Sequence, residues 1–167
     1  MAEPAIAGSL VCLKAITAAT VRAATDLVVS PEQERYVASN AVSIAQAYFH
    51  REAWFRAVYA AGEPVGFVML RDFSLLKRAK ASADPTHPIS LWRLMIDRHH
   101  QGRGLGRHAL ALAAAHARIR PGATALHTSY VDGPHAAGAF YLSFGFRPTG
   151  TSKANGEIGL VLDLGAA

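Results

Sequence analysis

The chain has 167 residues, 51% of them hydrophobic and 17% charged, which suits one domain (1–167) with a sizeable core. No apolar run approaches the ~18–20 residues of a membrane span, and a single cysteine excludes an internal disulfide framework. The formal net charge of +5 and a pI of about 9.7 suit an anionic partner without choosing between nucleic acid, a membrane surface and a phosphorylated ligand.

The opening residues "MAEPAIAGSL" carry Glu3 and Pro4 and no basic region, so a secretory signal is not expected and the cytoplasm is the expected compartment. "SLVCLKAI" reads as a first strand with Cys12 as a small core residue. "TAATVRAATDL" follows as a helix, with Thr17 or Thr20 as N-cap. "SPEQERYVA" has a helix start in Ser30, Pro31 and Gln33, and Ser43 with Gln46 repeats the Ser-x-x-Gln box. "WFRAVYA", "AGEP" and "VGFVMLR" form a hairpin pattern. Residues 72–88 are the longest irregular segment, and "ISLWRLMID" after it is an apolar, central strand. A helix is predicted from about Leu105 to Arg118, then a strand in "ATALHTSYV". A helix in "PHAAGAFYLSFG" and two strands, "FRPTGTS" and "EIGLVLDLG", close the chain. The order is that of a mixed sheet with helices packed on it, an α/β fold of the α+β type.

"QGRGLGRHAL", between the central strand and the long helix, carries the chemistry. The first N–H groups of a helix have no internal partner and meet the positive end of its dipole, so a glycine turn there cradles an anion. Arg98, Arg103 and Arg107 add charged donors. Two nucleotide motifs fail: a dinucleotide fingerprint needs Gly where Arg107 stands, and a P-loop needs Gly-Lys.

The pattern that fits is Gln/Arg-x-x-Gly-x-Gly/Ala, at Gln101, Gly104 and Gly106. It resembles the pyrophosphate turn of the GNAT acetyltransferase superfamily. "LWRLMID" is similar to that superfamily's central strand, and "FYLSFGF", with Tyr141, Gly145 and Phe146, to its second cofactor segment. The resemblance implies a mostly antiparallel, twisted sheet of about seven strands flanked by about four helices. It also implies acetyl-CoA as cosubstrate and a small amine as acceptor. "SPEQERYVASNAVSIAQA" with "WRLMIDRHHQGRG" resembles the bacterial spermine/spermidine-type branch, which implies a polyamine acceptor.

Carried onto this chain, the resemblance assigns cofactor binding to Gln101, Gly102, Arg103, Gly104, Leu105, Gly106 and Arg107. Met95 and Ile96 would offer backbone groups to the pantetheine arm and the thioester carbonyl. Tyr141 would protonate the leaving thiolate. Among the acids, Glu32, Glu34 and Asp97 are candidate bases, with Glu32 put forward; Asp97 has an alternative as a partner for Arg93 or Arg98. Asp26, Glu32, Glu34 and Glu52 are candidates to line an amine entrance, with "AWF" and "AVYA" as apolar walls. The family's Asn, seven residues before the Tyr, is replaced by Pro134, which suits a helix N1 position. The histidines show no metal-ligand spacing, so no metal is expected. His99 and His100 are read as phosphate or solvent contacts, and His127 as a minor candidate base.

Other readings stay open. The acceptor is alternatively a protein N-terminus, an amino acid or an antibiotic. A non-catalytic acyl-CoA sensor would bind without turnover. A basic nucleic-acid module is permitted by charge, but the arginines share no evident helix face. A homodimer through "IGLVLDL" as an exposed edge is a further expectation.

Overall fold

The computed structural model describes residues 11–76, 89–152 and 155–165. Seven strands form one sheet in the order β1-β2-β3-β4-β5-β7-β6. The strands are β1 (Cys12–Lys14), β2 (Ala53–Ala60), β3 (Glu63–Asp72), β4 (Ile89–Ile96), β5 (Ala125–Tyr130), β6 (Arg147–Ser152) and β7 (Ile158–Asp163). Four α-helices accompany them: α1 (Val21–Thr25), α2 (Asn40–Ala47), α3 (Leu105–Arg118) and α4 (Gly138–Phe144). Every neighbouring pair is antiparallel except β4 and β5. The expected fold class is therefore the observed one.

Side-chain alternation builds two cores from one sheet. On β3, Val68 and Leu70 face a layer that includes Leu110, Ala113 and Ala117 of α3 and Tyr141 of α4. Their neighbours Phe67 and Met69 face the opposite way, toward Val29, Met95 and Ile44 of α2. The helices thus cover both faces. The β2–β3 hairpin turns on Ala61 and Gly62, both at positive φ (50° and 86°), the pattern of a two-residue type I′ loop. Gly66 has a different reason to be glycine. A Cβ there would lie 2.5 Å from the Met95 carbonyl oxygen, so only a bare backbone lets β3 approach β4 at this point.

Local signals explain several differences from the sequence reading. Ser30 and Gln33 do form a box, with the Ser30 N–H donating to Gln33 Oε1 at 3.4 Å, but it starts only a 3-10 turn at Pro31–Gln33. The second box is shifted. Ser39 is the N-cap of α2, accepting from the Val42 N–H at 3.3 Å, while Ser43 is buried inside the helix and donates back to the Ser39 carbonyl. A serine can bond a carbonyl from inside a helix as readily as it can cap one, which the spacing alone does not distinguish. α4 starts at Gly138, so Pro134 stands in the loop before it and not at N1. β7 lies between β5 and β6, so "IGLVLDL" is an interior strand and offers no free edge. Residues 77–88 of the expected long loop lie outside the described residues.

The end of β3 is fastened by Asp72, which is fully buried. Its carboxylate meets His116 Nε2 at 3.3 Å and Arg120 Nε at 3.2 Å, and accepts from the Ser74 N–H at 3.1 Å. Burial by itself would raise the Asp72 pKa, but His116, Ser74 and Arg120 together hold it below the usual carboxylate value. His116 also stacks on Trp54, with ring centroids 3.9 Å apart.

Candidate active site

The parallel neighbours β4 and β5 share register at Ser90 and His127. The Thr128 hydroxyl then donates to the Leu91 carbonyl at 3.1 Å, and past this clasp the described residues show no further β4–β5 pairing. The divergence opens a cleft of about 1390 Å³ between them, whose walls include Leu91–Ile96 of β4, Thr128–Val131 and Tyr141. A strand edge facing an open cleft is a template for an extended ligand arm. β4 also carries a bulge: Met69 pairs with Arg93 and Leu70 with Leu91, so Trp92 is the extra residue.

At the far end of β4 stands the glycine turn. Gly104 is the N-cap of α3 with φ of +75°, and Gly102 has φ of +76°. Both lie in the left-handed region, where a side chain is strained. Gly102, Gly104, Leu105, Gly106 and Arg107 all line the cleft. The first α3 backbone bond runs from the His108 N–H to the Gly104 carbonyl, so the N–H groups just before it are unclaimed by the helix. Gln101 braces the turn. Its side-chain amide donates to the Ile96 carbonyl at 2.9 Å and to Gln33 Oε1 at 2.8 Å. Arg107 lines the cleft and donates to the Ser143 carbonyl at 3.2 Å. Arg98 and Arg103 are exposed and stand outside the cleft wall.

Asp97 is a buried fastener beside this turn. One oxygen accepts from the Val28 N–H at 3.0 Å. The other meets the His99 N–H and His99 Nδ1, both at 3.0 Å, and His100 Nδ1 at 3.4 Å. Burial would raise its pKa, but these donors outweigh it and hold the carboxyl low. Its partners are thus histidines and backbone, not Arg93 or Arg98, and the two histidines are occupied with Asp97.

Tyr141 joins core and cleft. Its ring packs between Phe140 and Phe146, each with a centroid separation of 5.4 Å, and the residue lines the cleft. Burial pushes the phenol up to about 12, with a hydrogen bond to Thr128 pulling the other way. The cleft is also lined by Arg71, Trp92 and Arg93, and by Ser129 and Glu157. Both guanidiniums sit over the indole of Trp92, Arg71 at 5.0 Å and Arg93 at 5.2 Å from its centroid. Ser129 donates to Glu157 at 2.5 Å. Burial lowers the Arg93 pKa and the charge of Glu157 raises it, which puts the two in one electrostatic neighbourhood. The Tyr36 hydroxyl donates to the Pro134 carbonyl at 2.5 Å, which ties the segment after β5 to the segment before α2.

The family model for the acetyltransferase (GNAT) family matches residues 14–146. The chain belongs to the GNAT acetyltransferase family. A probable spermine N(1)-acetyltransferase of Bacillus subtilis subsp. natto is 28% identical over 155 residues, covering 91% of this chain and 97% of that one. An acetyltransferase from Thermus thermophilus superposes with a TM-score of 0.68 at 22% identity, over 92% of this chain and 96% of that one. The aminoglycoside acetyltransferase AAC(6')-Ib, solved with coenzyme A, gives a TM-score of 0.70 at 14% identity, covering 92% and 94%.

In this GNAT chain the residues proposed from sequence divide. Met95, Ile96, Gln101, Gly102, Gly104, Leu105, Gly106, Arg107 and Tyr141 come together on one cleft, while Arg103 faces solvent. Glu32 is exposed on the 3-10 turn and absent from the cleft wall. Its pKa is lowered by its own turn's backbone N–H and by Ser30. Asp26 and Glu34 are likewise exposed, and Glu52 is buried against Arg71 at 3.0 Å. The expected acidic entrance is therefore corrected: among the described residues lining the cleft, the carboxylate is Glu157. The "AWF" wall is corrected too, since Trp54 and Phe55 pack in the two cores. Thr128, Arg71 and Glu157 were not singled out, and Arg93 only as a partner for Asp97, because nothing local marks them as cleft residues before four distant segments meet. Among the described residues no group of His, Cys, Asp or Glu is arranged to hold a metal ion, and no helix is long and apolar enough to cross a membrane.

Proposed function

We propose that the protein transfers the acetyl group of acetyl-CoA to a small primary amine by direct attack, with Tyr141 as the general acid. Acetyl-CoA supplies an activated thioester, and the chain's part is to hold it, orient it and manage two protons. The N–H groups from Gln101 to Gly106, with Arg107, suit its pyrophosphate, and the glycines admit close approach. Arg103, exposed within the turn, adds positive field. The open edge of β4 at Met95 and Ile96 suits the pantetheine arm and supplies backbone N–H groups to polarise a carbonyl.

The observation that carries this reading is the line of features along one cleft: glycine turn, open strand edge, then Tyr141 beside Thr128. A phenol held near 12 stays protonated throughout the working range and has a proton to give a departing thiolate. The incoming ammonium, with a pKa of ~10.4, must lose its proton before attack. Glu157 is better placed than Glu32 to attract that cation, since it lines the cleft. The spermine-type relative makes polyamines one candidate acceptor class.

The test is Tyr141→Phe, which keeps the ring and removes the proton. General acid catalysis contributes about 10²–10⁴-fold, so kcat falls by that order while the Kd for acetyl-CoA, read by calorimetry, stays within about threefold. An unchanged kcat in folded protein removes Tyr141 from the mechanism.

A further inference from the structure

The described lining of the cleft offers a polycation no excess of carboxylates. Among the described residues that line the cleft, three arginines (Arg71, Arg93 and Arg107) face one carboxylate, Glu157. Arg107 belongs to the glycine turn. Arg71 does not: it pairs in register with Ser90, six residues before Ile96 on β4. At ~3.3 Å per residue that is ~20 Å from the turn. Arg93 stands three residues before Ile96, beyond the reach of a pyrophosphate held at the turn.

These two arginines are held in place. Arg71 donates to Glu52 at 3.0 Å. Arg93 donates to the Trp92 carbonyl at 2.9 Å and to Gln46 Oε1 at 3.4 Å. Trp92, between them, is packed edge-on by His50 at 5.0 Å. Yet the ε N–H of each arginine is buried with no acceptor among the described residues. Buried donors are almost always paired, and an arginine's ε and η N–H groups form the fork that receives a carboxylate.

We propose that the acetyl acceptor is an amine that also carries a carboxylate, received in the cleft by Arg93 with Arg71 beside it across the Trp92 ring. Glu157 then attracts the ammonium end, so the cleft offers one pole to each end of a zwitterion. A polyamine would meet one carboxylate and pass the Arg93 guanidinium, and like charge opposes it, while the charge of Arg71 is already matched by Glu52. The inference rests on the acetyl-transfer reading above and refines its acceptor.

The experiment measures amine-dependent thiol release from acetyl-CoA with amino acids, each paired with its own carboxamide, and with spermidine. Rates are corrected for the fraction of neutral amine. The free acids are expected to exceed their carboxamides in kcat/KM by about tenfold or more, the scale of a desolvated charge pair. Arg93→Gln should bring that ratio close to one, and Arg93→Lys should keep part of it. Arg71→Gln, a second variant with the Arg93 fork intact, should lower the ratio less. Carboxamides matching the acids, spermidine outpacing both, or an intact ratio in a folded Arg93→Gln protein overturns the inference and leaves acetyl transfer standing. Silence with every amine is instead the failure of the acetyl-transfer reading itself.

Discussion

Tyr141 belongs both to the core and to the lining of the cleft. Its ring fills a core among Phe140 and Phe146 while its hydroxyl meets Thr128, which is itself clasped to Leu91 where β4 and β5 part. Burial without a nearby cation disfavours the phenolate, and the pKa of about 12 follows. The sign gives a pH profile. Turnover rises with pH as the amine loses its proton, and the acid form of Tyr141 persists up to about 12. We expect kcat to keep rising to ~10, the pKa of an ordinary phenol; stopped-flow rates from pH ~7 to ~10.5 test this. A descending limb centred near ~10 would mean an exposed phenol with no burial. Tyr141 and the glycines were legible in the sequence because each belongs to a short local pattern. Arg93, Arg71 and Glu157 were not, because they acquire meaning only when β3, β4 and the segment before β7 converge. Glu32 misled for a related reason: an acid in a first turn is explained by the turn itself.

At the scale of elements, periodicity and turn chemistry located all seven strands and the long helix, whose limits Leu105–Arg118 were read as observed. The misread limits concern short helices, and the strand expected as an edge, β7, is interior. Capping residues mark where a helix can start, and tertiary packing decides whether it continues. The Ser30 box therefore ends after one 3-10 turn, while the Ser39 cap opens α2. Asp72 is a fully buried tie between elements, joining the end of β3 to His116 on α3 and to Arg120 just beyond it. Asp72→Asn leaves Arg120 and His116 without their anion, and removal of one partner from a buried pair costs ~3 kcal/mol or more. The melting temperature should fall by ~6–12 °C at neutral pH for a chain of this size. Because the folded-state pKa of Asp72 is lowered, its contribution is present above the unfolded value and disappears as pH falls through the folded one. The difference between wild type and variant, read by calorimetry, should therefore shrink below pH ~4. A constant difference from pH ~7 to ~3 would contradict the ion-pair account.

For the whole molecule, the strands among the described residues form one sheet with one parallel junction, and the cleft opens there. Antiparallel pairing holds β1–β4 on one side and β5, β7 and β6 on the other, so among the described strands the two halves of the sheet pair only at the β4–β5 clasp before they diverge. The glycine turn and α3 belong to the end of the first half, and Tyr141 and Glu157 to the second. An acetyl donor lying along β4 and an amine entering from the Trp92 side would meet at the junction. No local motif states this, since it depends on which two strands lie side by side and run parallel; the resemblance to the GNAT superfamily did carry it. The excess of positive charge, +5 overall, then has a partner in the polyanionic cosubstrate. The most direct measurement combines acetyl-CoA binding by calorimetry with amine-dependent release of free thiol on the purified protein. The account predicts binding together with thiol release that is stoichiometric with N-acetylated amine and absent without an amine. Binding with no amine-dependent release across polyamines, amino acids, aminoglycosides and peptides would contradict it and leave a protein that holds acyl-CoA without transferring it.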